Sequence, residues 1–301
     1  MVGITRLAAV LSLGSAAAAF TIPEVDKNGN QVQIGFDPSA AFFVESVEKV
    51  DVKVYDPATL SAMGNLVAEP SNSTAAAAPS KRYIIGNDDR QAWTDGNYPY
   101  SSIGKIQWSN GVWCTGTLVG PRHVLTARHC TPINGEQVSI RFSPFFFDGE
   151  TRYPGSQVTN IIWTGARDND CDQGQDWALH ILQDRIGEPR GYFGARTFNT
   201  DDMNKNFLYH VGYPGDRDNG NRPIKFSNGR AHSIGPCFGD SPVRTDIDAM
   251  GGQSGGPLWE YSGQGGRYVM GVLSTGGPSE TAFASGQQMV NAVAAARNDF
   301  P

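Results

Sequence analysis

Asp248-Ala249-Met250-Gly251-Gly252-Gln253-Ser254-Gly255-Gly256-Pro257-Leu258 is the stretch on which the reading of this chain turns. A serine set in a glycine run lies where the backbone can turn sharply and come close to another molecule. Such a turn aims several N–H groups at one point, which a developing oxyanion requires. A hydroxyl is a weak nucleophile until a base takes its proton and a third group orients the base. Histidine suits the base, because its unperturbed pKa lies near neutrality. A buried carboxylate on the far ring nitrogen fixes the tautomer and stabilises the imidazolium.

Two further segments hold such groups. Val124-Leu125-Thr126-Ala127-Arg128-His129-Cys130 contains a histidine, and Asp176-Trp177-Ala178-Leu179 opens on an aspartate. Asp168, Asp170 and Asp172 lie just upstream. Asp176 is preferred because it directly leads an apolar run that would hold its carboxylate buried. The order His129, Asp176, Ser254 is one of the known orders of a nucleophile–base–acid trio.

Around these segments the chain reads as short apolar runs broken by Gly, Pro, Asn and Asp. Examples are 103–108, 117–119, 138–142, 158–163, 178–182, 207–211 and 268–273. Regularly spaced short strands with turn residues predict an all-β sandwich or barrel. Of 301 residues 36 are glycine, well above the usual ~7%. Only 18% are charged, below the usual ~25%. Residues 285–300 differ: Met289, Val290, Val293 and Ala294 recur at helical spacing, which predicts a C-terminal helix capped by Ser285. The net charge of −6 argues against a nucleic-acid partner, which needs a concentrated basic surface.

The amino-terminal third has its own organisation. Arg6 precedes an uncharged, Ala- and Leu-rich run ending in Ala17-Ala18-Ala19, the pattern of a secretory signal peptide over 1–19. That run is shorter than a membrane span needs. Val44 to Val54 alternates apolar and charged residues and predicts one strand. Residues 71–80 read SNSTAAAAPS, a linker composition ending at Lys81-Arg82. A dibasic pair on an exposed linker is where a processing protease cuts. The expectation is a pro-segment over 20–82 and a mature domain over 83–301, exported, extracellular and free of the membrane once the signal is removed. The glycosylation triplet Asn72-Ser73-Thr74 would leave with the pro-segment.

In combination these motifs resemble the secreted serine proteases of the chymotrypsin clan, and among them the glutamyl endopeptidases. TLVGPRHVLTARHC resembles the clan's His segment, GQDWALHIL its Asp strand and GGQSGGPLW its Ser loop. IIGNDDR at 84–90, GYFG at 191–194 and GYPGDR at 212–217 resemble the glutamyl endopeptidases in particular. The resemblance covers nearly all of 83–300. It implies two antiparallel Greek-key β-barrels, about 83–185 and 186–284, with a helix over about 285–299 and the site between the barrels. It implies His129 as general base and then acid, Asp176 as its orienter, and Ser254 as nucleophile. The N–H groups of Gly252 and Ser254 would form the oxyanion hole. Cys114 is placed to bridge Cys130, which would clamp the elements carrying His129. Cys171 and Cys237 are left to pair or to stay free. Polypeptides are the expected substrates of a monomer, with no cofactor and no metal; five scattered histidines show no zinc-ligand spacing. His123, His180, His210 and His232 are expected to have no catalytic duty.

Three departures from the family pattern stand out. Arg128 adjoins the base where small residues are common. Gln253 precedes the serine where the chymotrypsin group proper has an aspartate that pairs with the freed amino terminus, so that salt bridge cannot form. In the specificity pocket, Ala249 and Leu273 or Ser274 stand where glutamate-selective relatives place hydroxyl and imidazole donors, and Asp248 coincides with the acidic pocket base of trypsin-like enzymes. Asp248 at the pocket base would favour basic side chains, the family would favour acidic ones, and a broad preference fits as well. Two other classes compete. One is an inactive homologue using the fold as a binding module. The other is a lipase or esterase, which the chain order and the β-rich pattern disfavour.

Overall fold

The computed structural model describes residues 31–32, 34–37, 39, 41, 50–71, 88–132, 137–164, 173–237, 240–261, 266–277 and 279–301. The expected signal peptide, the Lys81-Arg82 pair, the Asn72 triplet, Cys171, and Asp168, Asp170 and Asp172 lie outside them.

Twelve strands build two closed antiparallel barrels. The first contains β1 (Ile103–Trp108), β2 (Val112–Leu118), β3 (His123–Thr126), β4 (Ile140–Pro144), β5 (Ser156–Thr164) and β6 (Ala178–Leu182). They run in the order β6-β3-β2-β1-β4-β5, and β5 pairs with β6 to close the ring. The second contains β7 (Asn206–Gly212), β8 (Ile224–Ile234), β9 (Val243–Thr245), β10 (Pro257–Tyr261), β11 (Arg267–Gly276) and β12 (Thr281–Ala284). Their order is β11-β10-β7-β8-β9-β12, closed by β11 on β12. Closure leaves no free edge within either ring.

Alternation explains the inward faces. In β8, Ile224, Phe226 and Ala231 are buried while Lys225, Ser227 and Arg230 between them are not. The first barrel encloses Ile106, Leu118, Val124, Phe142 and Ile161; the second encloses Leu208, Phe226, Leu258, Met270 and Phe283. A third cluster joins them, in which Leu125, Trp177 and Leu179 of one barrel meet Val211, Trp259 and Val269 of the other.

Two helices complete the fold, α1 (Pro57–Ala62) and α2 (Gln287–Asp299). Helix α2 turns Met289, Val290, Val293 and Ala296 into the joining cluster. Its cap differs from expectation. Gly286 at φ 137° is the N-cap with no side-chain bond, and the Ser285 hydroxyl donates instead to Ser241 O at 2.6 Å. Ser285 sits one residue too early, and its hydroxyl finds a better acceptor across the chain.

The amino-terminal segment docks on this frame. Asp51–Tyr55 adds a parallel strand to β5, and α1 packs on α2 with Leu60 fully buried. The Asn291 amide donates to Leu60 O and Gly64 O at 2.7 and 2.8 Å, and Ala68 bridges Ala195. Of the alternating stretch from Val44, residues 44–49 lie outside the described ones and the strand runs from Asp51 onward.

Candidate active site

Three separate elements deliver His129, Asp176 and Ser254 to one point. His129 sits on a single 3₁₀ turn, Arg128–Cys130, directly after β3. Cys130 is disulfide-bonded to Cys114 on β2, which ties that turn to the neighbouring strand. The unusual Arg128 turns away from the site: its guanidinium donates to Thr164 O at 3.2 Å and covers the Trp163 ring. Asp176 heads β6, and the adjoining Trp177 is completely buried. Burying an indole removes about 150–250 Å² from water, roughly 4–6 kcal/mol before entropy, which fixes the strand end carrying the carboxylate.

Ser254 lies on the loop between β9 and β10, and two glycines there are obligatory. Gly252 has φ 97°, and a Cβ would fall 2.3 Å from Tyr213 O and 2.5 Å from Trp113 Nε1. Gly255 has φ 78°, and a Cβ would lie 2.1 Å from Thr126 Oγ1. Gln253, Gly255 and Gly256 donate their N–H groups to Met250, Leu273 and Gln253 carbonyls. The N–H groups of Gly252 and Ser254 stand outside that internal set. Neighbouring strands fix the loop further, with Thr115 N donating to Ser254 O at 2.8 Å and Thr115 Oγ1 to Gly252 O at 2.9 Å.

The polar contacts are short. His129 Nδ1 lies 2.6 Å from Asp176 Oδ2, and Nε2 lies 2.7 Å from Ser254 Oγ. His129 N also donates to Asp176 Oδ1 at 3.0 Å. A carboxylate only accepts, so the ring proton sits on Nδ1 and Nε2 is left to accept the serine hydroxyl. The arrangement makes Ser254 the donor to a base whose far side is held by a buried anion.

Of the two residues expected at one pocket position, Leu273 or Ser274, the serine is engaged elsewhere. Its hydroxyl instead donates to Asp176 Oδ2 at 2.7 Å, a third bond on that carboxylate. Leu273 is fully buried in the core of the second barrel, and Ala249 packs partly against the same core. Asp248 is half-buried and accepts from the Asp89 backbone N–H; burial, with the Asp88 carboxylate adding, pushes its own carboxyl up. Cys237 is disulfide-bonded, and its expected partner Cys171 lies outside the described residues.

Arg90 was missed. It ends the IIGNDDR stretch, of which residues 88–90 are described, and its side chain is only 5% exposed. The guanidinium grips Asp216 by two bonds, 3.1 and 2.6 Å, and Asp88 by two more, and reaches Gln253 Oε1 at 3.2 Å. The same Oε1 accepts from Met250 N at 2.9 Å. A cation therefore stands beside the residue before Ser254. The signal was the arginine's place in a quoted motif, and nothing local gave its partner 163 positions away.

His123, His180 and His210 are core residues, whereas His232 pairs with Glu280 at 3.0 Å on the surface of the second barrel. Among the described residues no three His, Cys, Asp or Glu side chains gather to hold a metal ion.

Comparison with known proteins places this geometry. The chain is 32% identical over 197 residues to the glutamyl endopeptidase of Bacillus licheniformis, an alignment covering 63% of this chain and 58% of that protein. It is 25% identical over 304 residues to a Bacillus subtilis protein named extracellular metalloprotease, covering 91% of this chain and 87% of that one. A solved structure of a Glu endopeptidase in complex with MPD superposes with TM-score 0.59 at 21% identity, over 72% of this chain and all of that one, a likeness of fold. The trypsin family profile matches residues 84–295. The chain belongs to the trypsin family.

Proposed function

We propose that the chain is a serine endopeptidase that hydrolyses peptide bonds through Ser254, His129 and Asp176. The observation that carries this is the continuous short relay from a buried carboxylate through the imidazole to the serine hydroxyl. As Ser254 Oγ bonds to the substrate carbonyl carbon, its proton passes to His129 Nε2 and the carbonyl π electrons move onto oxygen. The Gly252 and Ser254 N–H groups receive that oxyanion, each donor lowering the barrier by about 3–4 kcal/mol. Collapse of the adduct breaks the C–N bond, and the leaving amine takes the proton from His129. Water then repeats the sequence on the acyl-enzyme, giving its proton to His129, which returns it to Ser254 Oγ as the acid leaves. Asp176 stays ionised and stabilises the imidazolium, with Ser274 fixing the oxygen that faces the ring.

The reading extends to an exported precursor, with a signal over 1–19, a pro-segment over 20–82 and processing at Lys81-Arg82. Its support is the Arg6-led apolar run and the dibasic linker. The extracellular label of the Bacillus subtilis relative agrees. For the residue before the scissile bond, the expected pocket offers no free donor to an acidic side chain. Ala249 has none, Leu273 is core, Ser274 is committed to Asp176, and Asp248 is itself a carboxylate. The preference in this reading is not acidic.

Fluorophosphonate labelling tests the central claim, since only an activated hydroxyl reacts fast. Labelling that is lost in Ser254→Ala supports it. A chain that fails to label even with its amino-terminal segment removed is the inactive homologue.

A further inference from the structure

Two strand ends form rims flanking the serine loop, each paired within its own barrel on one side only. One is the end of β11, Thr275 and Gly276, directly after the Ser274 that holds Asp176. The other is the start of β2, Val112 and Trp113, just before the Thr115 whose N–H binds Ser254 O. Both are occupied by one piece of the amino-terminal segment. Gln31 and Val32 pair antiparallel with Gly276 and Thr275, and Gly35 and Phe36 pair antiparallel with Trp113 and Val112. Between the two stations Ile34 O lies only 3.0 Å from where a Gly251 Cβ would stand, so the chain crosses over the serine loop. Asp37 secures the far end, its N–H on Gly111 O at 3.0 Å and its carboxylate accepting from Asn219 Nδ2 at 2.8 Å.

We propose that the stretch paired through Gln31–Val32 and Gly35–Phe36 is an autoinhibitory strand occupying the place of a substrate in the cleft, on the reading above that the cleft belongs to a serine endopeptidase made as a precursor. Four observations join here. The strand is antiparallel to both rims, the manner in which an extended peptide adds to a sheet edge. Between its two stations the Ile34 carbonyl lies against the serine loop, beside where a Gly251 Cβ would stand. Ser254, which has to meet a polypeptide, is 0% exposed in the full chain. Gly35 is shaped to its place, because a Cβ would fall 2.0–2.4 Å from the Trp113 indole. The docking of 50–71 keeps the strand in reach as an intramolecular ligand, at the millimolar effective concentration of a short tether. Lys53 and Tyr55 on Asp299, Leu60 under α2 and Arg297 on Glu69 O supply that anchorage.

The test uses the full-length chain with Lys81 and Arg82 changed to Gln so that it stays uncut. Labelling of Ser254 by a fluorophosphonate and hydrolysis of a peptide substrate are followed in this parent, in Gly35→Val, and in a variant with 31–37 replaced by a Gly-Ser linker. A parent that labels slowly, with both variants at least tenfold faster, is expected. A parent as fast as the variants overturns the inference and leaves the peptidase reading intact. No labelling in any of the three removes the peptidase reading and the inference with it. Hydrogen exchange on the parent gives an independent readout. Slow exchange at 31–36 and at both rims is expected, and free exchange at 31–36 beside protected barrels overturns the inference even if a variant fails to fold.

Discussion

Arg90→Met puts the proposed machinery under a graded load. The variant keeps an unbranched apolar stem and removes five donors from a site where the wild-type guanidinium is buried. Its two carboxylate partners are not buried: Asp88 is 42% and Asp216 34% exposed, so water replaces much of what they lose. Half-exposed pairs of this kind contribute at most about 1 kcal/mol each. The third partner is different. Gln253 Oε1 lies inside, and without Arg90 it retains only Met250 N. A buried acceptor that loses a charged donor costs about 1–2 kcal/mol. The total is roughly 1–4 kcal/mol, a Tm fall of about 2–15 °C for a domain of this size. The effect on rate is separable from that. Gln253 adjoins Ser254, and its side chain braces the loop that presents the Gly252 and Ser254 N–H groups. Misaiming one such donor costs at most about 10²–10³ in kcat, so a kcat loss of about tenfold to a hundredfold is expected. KM should move less than about threefold, since Arg90 lies behind the serine loop. Arg90→Lys, which restores one donor, should recover part of kcat. Steady-state kinetics on a peptide substrate beside a thermal melt decide the matter. A melt that falls while kcat stays put would refute the positioning role and leave Arg90 a plain structural cation.

The remaining expectations are quicker to check. Ser254→Ala lowers kcat by at least about 10³-fold with the fold intact by circular dichroism. Activity survives exhaustive treatment with a metal chelator; a loss restored by zinc would instead favour the chemistry in the Bacillus subtilis relative's name. Peptides differing only before the scissile bond are cut after Glu no faster than after Gln, and a strong Glu preference would reverse the pocket reading. Acid destabilises the fold as pH drops from 6.5 to 4. Burial holds His123 and His210 near pKa 4 and His180 near 3, so the unfolded chain binds protons that the folded one refuses. Buried Asp240, pushed up to about 7, works the other way between 3.8 and 7, but one carboxyl is outweighed by three imidazoles. A Tm that rises on acidification through this window would contradict the assignment.

What the sequence disclosed followed from how local its signals were. Strands 103–108 and 178–182 coincide with β1 and β6, because both are short, the second apolar but for His180 and the first carrying Ile103, Ile106 and Trp108. β8 escaped notice since Lys225, Asn228-Gly229 and Arg230 break its apolar residues into single inward positions, and β9 has only three residues. His129, Asp176 and Ser254 were legible because each lies inside its own motif. Ser274 was noticed for a different task. The bond that defines it spans 98 positions, and no pattern near residue 274 reports on Asp176. The path of 31–37 was illegible for the same reason. An exposed rim leaves no mark on the sequence of the strand that covers it, beyond one glycine at position 35.

Arg90 and the cleft strand bear on each other. In the chymotrypsin group proper the aspartate before the serine receives a cation only when cleavage frees an amino terminus, so the loop is completed by processing. Here Gln253 replaces that aspartate, and Arg90 lies within the chain and carries its charge before any cut. The uncut protein accordingly shows the loop closed on Met250, the Nε2–Oγ contact at 2.7 Å and the Nδ1–Oδ2 contact at 2.6 Å. With the machinery assembled in advance, the latency proposed for the precursor cannot come from a disordered loop. It has to come from denying the substrate its place, which is the position Gln31, Val32, Gly35 and Phe36 hold on the two rims. Control by occupancy predicts that a reagent small enough to need neither rim gains less from removing the strand than a hexapeptide does. If both gained equally, loop assembly rather than occlusion would be the switch.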